Sequence, residues 1–105
     1  MFKRVKAATL SQLPPGVGLA VEVEGRRLAL FRIDGQIHAI DDLCPHAGGP
    51  LSAGHVVDGV VMCPWHGWRF RLADGVWADA PKSGLNVRCY RAVQEGEDVL
   101  IEVDW

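Results

Sequence analysis

Cysteine is scarce in this sequence, which has three among its 105 residues. An odd and sparse set of cysteines excludes a disulfide-rich scaffold, because such scaffolds pair many cysteines in an oxidising compartment. Long apolar runs are also lacking. No segment approaches the roughly 18 apolar residues that cross a membrane, and the first residues lack the apolar region of a signal peptide. We therefore expect a cytoplasmic protein without a membrane segment.

Neither sign of charge dominates the chain. Lysine and arginine number 11 against 13 aspartate and glutamate residues, so the formal net charge is -2. A nucleic-acid-binding domain needs a concentrated basic face, and this balance does not provide one. We expect no nucleic-acid partner, whereas the mild acidity is compatible with a protein partner.

Sustained helical periodicity is absent, and short β-type segments alternate instead with turn dipeptides such as Asp34-Gly35 and Asp74-Gly75. A short helix over residues 6–13 is the one helical segment that the pattern allows. The length suits one domain, and no internal repeat is present. We predict a single all-β domain over residues 1–105, a small antiparallel sandwich or barrel. The predicted strands cover residues 18–23, 27–33, 36–40, 60–62, 68–72, 76–77, 85–92 and 99–103.

Two loops interrupt this pattern and combine cysteine and histidine with proline and glycine. Cys44 and His46 form a C-x-H motif, and after sixteen residues Cys63 and His66 form a C-x2-H motif. Thiolates and neutral imidazoles are good ligands for iron and zinc, so the two loops could close one metal site. The residue types alone leave a structural zinc site and an iron–sulfur site both open.

The motifs resemble those of the Rieske iron–sulfur family. The resemblance includes the Gly-Gly-Pro-Leu that follows shortly after His46 and the Gly-Trp-Arg-Phe after His66, and it extends over residues 2–103. It implies one [2Fe–2S] cluster, with Cys44 and Cys63 on one iron and the two histidines on the other.

The same resemblance implies how the chain is organised around the cluster. Residues 42–55 and 63–68 would form a cluster-binding subdomain, and residues 80–85 would form a proline loop that covers one side of it. Pro81 fits that loop, although Gly84 departs from the family's second proline.

Other residues in the two loops would support the cluster. We expect Gly48, Gly49 and Gly67 to let backbone amides donate hydrogen bonds to the sulfurs. We expect Trp65 and Trp68 to shield the site from water by packing.

The resemblance also predicts the reduction potential. High-potential relatives carry an extra cysteine in each loop, where this chain has Gly49 and Trp65, and hydroxyl residues where it has Trp68 and Phe70. Neither a disulfide nor a hydroxyl bond to sulfur can form with these side chains. We predict a potential at the low end of the Rieske range, about -150 mV.

The implied function is that of a low-potential Rieske-type ferredoxin, an electron-transfer protein without catalysis of its own. It would pass electrons, as a monomer, from an NAD(P)H-dependent flavin reductase to a terminal oxygenase, and the tips of His46 and His66 would be the exit route. The alternative is the small Rieske subunit of an assimilatory nitrite reductase, bound to a large reductase subunit. A structural zinc domain is a remote alternative. An oxygenase would need a second domain for mononuclear iron.

The remaining cysteine and histidines are interpreted as structural. Cys89 alternates with Val87 and is expected to face the core. His38 is expected in a strand and His55 in a connecting loop, so neither joins the site. Trp77 and Trp105 show no pattern that indicates a function.

Overall fold

Three antiparallel sheets make up the fold in the computed structural model, which describes residues 2–46 and 48–105. The strands are β1 (Lys3–Thr9), β2 (Leu19–Val23), β3 (Arg26–Ile33), β4 (Gln36–Asp41), β5 (His55–Val57), β6 (Val60–Met62), β7 (Arg69–Arg71), β8 (Cys89–Tyr90), β9 (Ala92–Glu95) and β10 (Asp98–Val103). The first sheet has the order β1-β10-β9, the second β2-β3-β4-β8 and the third β5-β6-β7. Two single 3-10 turns occupy Leu10–Gln12 and Leu51–Ala53. The predicted all-β antiparallel class is confirmed.

Strand β3 separates two hydrophobic cores because both of its faces are buried. Leu28 and Leu30 belong to the core shared with β1, β2 and β10, whereas Ala29 and Phe31 belong to the core beneath the two cysteine–histidine loops. Successive side chains of a strand point to opposite faces, so one continuous apolar run can serve both cores. The second core supports the third sheet and the predicted metal site.

The hairpins occur where the turn dipeptides predict them. β3 pairs with β4 across Asp34-Gly35, with Ile33 opposite Gln36. Asp34 and Gly35 both have positive φ, at 51° and 77°, which suits a tight two-residue turn. The predicted strands at 18–23, 27–33, 36–40, 60–62 and 99–103 are confirmed within one or two residues.

Three predicted elements are wrong. Residues 6–13 are not helical, because Lys3 to Thr9 pair with β10 and only a 3-10 turn follows. The strand expected over 85–92 is reduced to two residues, and its Cys89 is exposed because Tyr90 takes the buried position. Residue His55 begins a strand, since it pairs with Met62.

The expected strand at 76–77 is present only as an isolated bridge between Phe70 and Trp77. No helix in the described part of the chain is long and apolar enough to span a bilayer.

Candidate metal centre

The two cysteine–histidine loops have the same backbone hydrogen bonding. In each, the cysteine N–H donates to the carbonyl five residues later, and the amide four residues later donates to the cysteine carbonyl. The N···O distances are 2.9 and 2.8 Å around Cys44, and 2.7 and 3.0 Å around Cys63. The residues that flank the loops also pair equivalently, Leu43 with Pro50 and Met62 with Arg69. The site is therefore built from two copies of one hairpin.

Glycine is required at the fourth position after each cysteine. Gly48 has a φ of 75° and Gly67 a φ of 76°, a left-handed conformation that costs residues with a Cβ about 1–2 kcal/mol. The amides of both glycines donate to cysteine carbonyl oxygens. These two hydrogen bonds close the turns, and the expectation that other backbone amides of the loops donate to cluster sulfurs stays a prediction.

The four predicted ligands divide into a buried pair and an exposed pair. Cys44 and Cys63 are 3% and 1% exposed and belong to the second core. His46 and His66 are exposed, and their ring centroids lie 4.9 Å apart with the planes at 77°. The fold thus places the two cysteines in one core and brings the two imidazoles into contact at the surface.

Close contact between the two loops depends on Gly49. A Cβ placed on this residue would lie 2.8 Å from the Cys63 sulfur and 3.0 Å from the Trp65 ring. Positions 49 and 65 are therefore adjacent, as the family's disulfide positions require, but glycine and tryptophan cannot form that bond. Side chains larger than hydrogen are excluded at 49 by the opposite loop.

A buried carboxylate, which the sequence analysis missed, anchors the first loop. Asp42 is fully buried and accepts hydrogen bonds from the Arg27 guanidinium at 2.7 Å and the Ser52 amide at 2.8 Å. Its carbonyl accepts from the Leu51 amide at 2.7 Å. A buried charge needs such partners. The acidic pair Asp41-Asp42, which only Leu43 separates from the motif, could have indicated this anchor.

Three aromatic rings stack beside the site. The ring centroids of His46 and Trp68 lie 4.4 Å apart, with 10° between the ring planes. Those of Trp68 and Trp77 lie 3.7 Å apart, with 8° between the planes. The packing role predicted for Trp68 is supported by these contacts. Trp65 is instead 56% exposed, so the shielding expected of it is not observed. Trp77, which had no assigned role, is part of the stack, and no local pattern indicates it.

Two ion pairs flank the segment around Trp77, one through Asp74 and one through Asp79. The Arg69 guanidinium lowers the pKa of Asp79, and that of Arg71 lowers the pKa of Asp74. Both pairs lie at the surface, where each contributes little to stability. Pro81 and Gly84 are exposed. The covering role of residues 80–85 stays a prediction.

The two histidines and the cysteine left outside the site do not join it. His38 lies in β4 opposite Phe31, and burial lowers its pKa. Cys89 lies on β8 opposite Ile40, and His55 is on the third sheet. Within residues 2–46 and 48–105, no three Cys, His, Asp or Glu side chains converge on a single-ion site.

The donor set fits a Rieske cluster. Such a cluster takes two cysteine thiolates on one iron and two imidazoles on the other, so each iron needs only a pair of protein ligands. Two buried thiols and two adjacent, solvent-facing imidazoles on matched hairpins meet that requirement. The individual ligand assignments stay a prediction.

Comparison with known proteins agrees with this chemistry. Residues 3–91 match the Rieske [2Fe-2S] domain family. The ferredoxin component of a naphthalene 1,2-dioxygenase system from Pseudomonas aeruginosa is 36% identical over 101 residues, which cover 96% of each chain. The chain thus matches nearly the whole length of a small electron carrier.

Two solved structures are similar over nearly their whole length. The ferredoxin of carbazole 1,9a-dioxygenase from Nocardioides aromaticivorans superposes with a TM-score of 0.85 at 35% identity, covering 94% of this chain and 96% of that one. A Mycobacterium tuberculosis protein assigned as an NADH-dependent nitrite reductase small subunit superposes with a TM-score of 0.90 at 29% identity. The match covers 100% of this chain and 98% of that one. The chain belongs to the Rieske [2Fe–2S] family, whose members carry one such cluster.

Proposed function

We propose that this protein is a Rieske ferredoxin, a one-electron carrier that accepts electrons from an NAD(P)H-dependent flavin reductase and delivers them to a terminal oxygenase. The observation that carries the proposal is the division of the donor set into two buried cysteines and two exposed histidines. Residues 1–105 act as one domain, and Cys44, His46, Cys63 and His66 are the cluster ligands.

Each pair of ligands has its own task. When bound, the cluster supplies a one-electron redox couple. The cysteines hold their side of the site inside the second core, where water is excluded. The histidines face solvent, so a docked protein can approach them directly. Electron transfer depends on short distances, and these tips are therefore the proposed exit route.

Two features of the cysteine–histidine loops and of β7 support a low potential. Trp68 and Phe70 have no hydroxyl to donate to a sulfur, and such bonds stabilise the electron-rich reduced state. Gly49 and Trp65 provide no disulfide. We expect a midpoint of about -150 mV. A midpoint above zero in protein-film voltammetry would contradict this expectation.

The partners follow from the relatives. The naphthalene and carbazole proteins are named as ferredoxin components of dioxygenase systems, and this chain is similar to each over more than nine-tenths of its length. We propose a monomeric cytoplasmic protein that forms brief complexes with a flavin reductase and with an oxygenase. Such a carrier has no catalytic step of its own.

The ligand assignment is tested by spectroscopy of purified protein before and after dithionite. Wild type is expected to be coloured and to give the electron paramagnetic resonance (EPR) signal of a reduced Rieske cluster. Replacement of any ligand, for example Cys63→Ser or His66→Ala, is expected to abolish that signal. Cys89→Ser and His55→Ala are matched controls, because both residues are exposed and lie outside the site. A colourless protein with stoichiometric zinc would reject the proposal.

The small subunit of a nitrite reductase is a second candidate, and the observation behind it is the similar structure with a TM-score of 0.90. A permanent subunit would elute with a large catalytic chain when a native extract is separated by gel filtration. A free carrier would elute at the size of the monomer. It would also support turnover of a terminal oxygenase when a flavin reductase and NAD(P)H are supplied.

A further inference from the structure

Trp68 joins the two loops of the metal centre through different parts of one residue. Its carbonyl oxygen accepts the Cys63 N–H at 2.7 Å and so closes the second loop. Its ring stacks on His46, which belongs to the first loop, at 4.4 Å and 10°. A movement of the second loop is therefore transmitted to the plane of the His46 ring.

The far side of the Trp68 ring rests on Trp77, which is itself fixed. The Trp77 amide donates to Asn86 Oδ1 at 3.2 Å, and Trp77 bridges to Phe70 of β7. The adjacent Ala78 amide donates to the Arg69 carbonyl at 2.8 Å. Trp77 is thus attached to the third sheet on one side and to Asn86, in the segment before β8, on the other.

The two histidines have unequal surroundings. His46 is stacked face to face on Trp68, whereas His66 meets the edge of the His46 ring at 77°. No stacked partner of His66 occurs among the ring contacts of the described residues. Face-to-face contact restricts rotation of a ring about its side-chain bonds more than a single edge contact does. The fold therefore restrains one imidazole plane and leaves the other freer.

We propose that Trp68 is a positioning residue that holds the His46 imidazole in one plane, with Trp77 as its anchor. This inference rests on the proposed function, because it concerns a histidine assigned as a cluster ligand. It goes beyond that function by assigning different mechanical roles to the two histidines. If Trp68 only shielded the site from water, it would affect the whole site and would not affect His46 and His66 differently.

The test uses reduced holoprotein with 15N-labelled histidine and pulsed EPR, which measures the coupling of each bound nitrogen. That coupling depends on the orientation of the imidazole plane, so its spread measures how well the plane is fixed. Trp68→Leu keeps apolar bulk but removes the flat ring. We expect the spread of the coupling to become about twofold broader for one nitrogen only. Trp77→Leu should broaden the same nitrogen less. Trp68→Phe should restore most of the wild-type width.

Trp65→Leu is the matched control, because Trp65 lies in the same loop but is exposed and outside the stack. Its spectrum should equal that of wild type. Unchanged widths in Trp68→Leu, or equal broadening of both nitrogens, would overturn the proposal. If Trp68→Leu does not assemble, an unchanged Trp77→Leu spectrum would likewise overturn it. Wild-type protein without two nitrogen couplings would instead reject the ligand assignment itself.

Discussion

Tyr90 is the single tyrosine of the chain, and it links β8 to β4 beneath the exposed Cys89. Its hydroxyl donates to Asp41 at 2.7 Å, and Trp105 meets its ring edge-on at 5.7 Å. Burial, together with the neighbouring Asp41 carboxylate, raises the pKa of Tyr90 well above its usual value. The phenol is therefore held in its neutral form by the fold.

This shift predicts an alkaline loss of stability. The tyrosine of the unfolded chain ionises near pH 10, whereas the native phenol resists ionisation. The contribution of Tyr90 to the free energy of unfolding is therefore fully present below about pH 10. The free energy of unfolding should then fall as the pH rises toward the native pKa. Denaturant titrations between about pH 8 and 11 would measure this pH dependence. In Tyr90→Phe, the part of the pH dependence that arises from ionisation of Tyr90 should be absent.

A spectroscopic control is available because one tyrosine gives one transition. Tyrosinate absorbance of native protein should appear only well above pH 10. Its appearance at the ordinary tyrosine pKa would contradict the buried hydrogen bond.

At the scale of elements, the turn after β7 is locked onto the segment before β8. Gly75 is buried with a φ of 76°, and its carbonyl accepts the Val87 amide at 2.9 Å. A Cβ on Gly75 would lie 2.1 Å from the Val87 carbonyl oxygen, which is backbone and cannot rotate away. This contact holds Val87 in the second core.

Two glycine variants distinguish the energetic cost of backbone strain from the cost of the close contact between position 75 and Val87. Gly35 has nearly the same φ, 77°, but open space where a Cβ would lie. Gly35→Ala should lower the free energy of unfolding by about 1–2 kcal/mol, the cost of the left-handed conformation. Gly75→Ala adds overpacking and should cost about 3 kcal/mol in total. Urea denaturation measures both, and equal losses would show that Val87 can move aside.

At the scale of the whole molecule, stability is divided between two cores on opposite faces of β3. The first core contains Val99, Ile101 and Val103 of β10 and no proposed ligand. The second contains Cys44 and Cys63. Metal binding contributes directly to folding when the ligands belong to the core. Loss of the cluster is therefore expected to destabilise the second core more than the first.

Hydrogen exchange with mass spectrometry can test this division. After the cluster is removed with a chelator under reducing conditions, amides of β5, β6 and β7 should exchange at least about tenfold faster, whereas those of β1 and β10 should change little. Reconstitution with iron and sulfide should restore protection. A uniform rise in exchange across both cores would mean that the molecule unfolds as one unit.

Much of the site could be predicted because its chemistry is local in sequence. Cys44, His46, Cys63 and His66 lie in short motifs, and the glycine four residues after each cysteine is required by a turn conformation. Alternating apolar residues and Asp-Gly or Glu-Gly turns likewise indicate strands and hairpins. The exposure of Cys89 could not be predicted, since short edge segments have no fixed register until they pair.

The sequence by itself determined the proposed donor set, the antiparallel all-β class and the residue types at positions 49, 65, 68 and 70, because residue type and short-range spacing suffice for these. Only the tertiary structure decided that Asp42 anchors the first loop and that Trp77 supports Trp68 against His46. These contacts join residues that are distant along the chain. Their geometry arises from the packing of three sheets, which no local periodicity encodes.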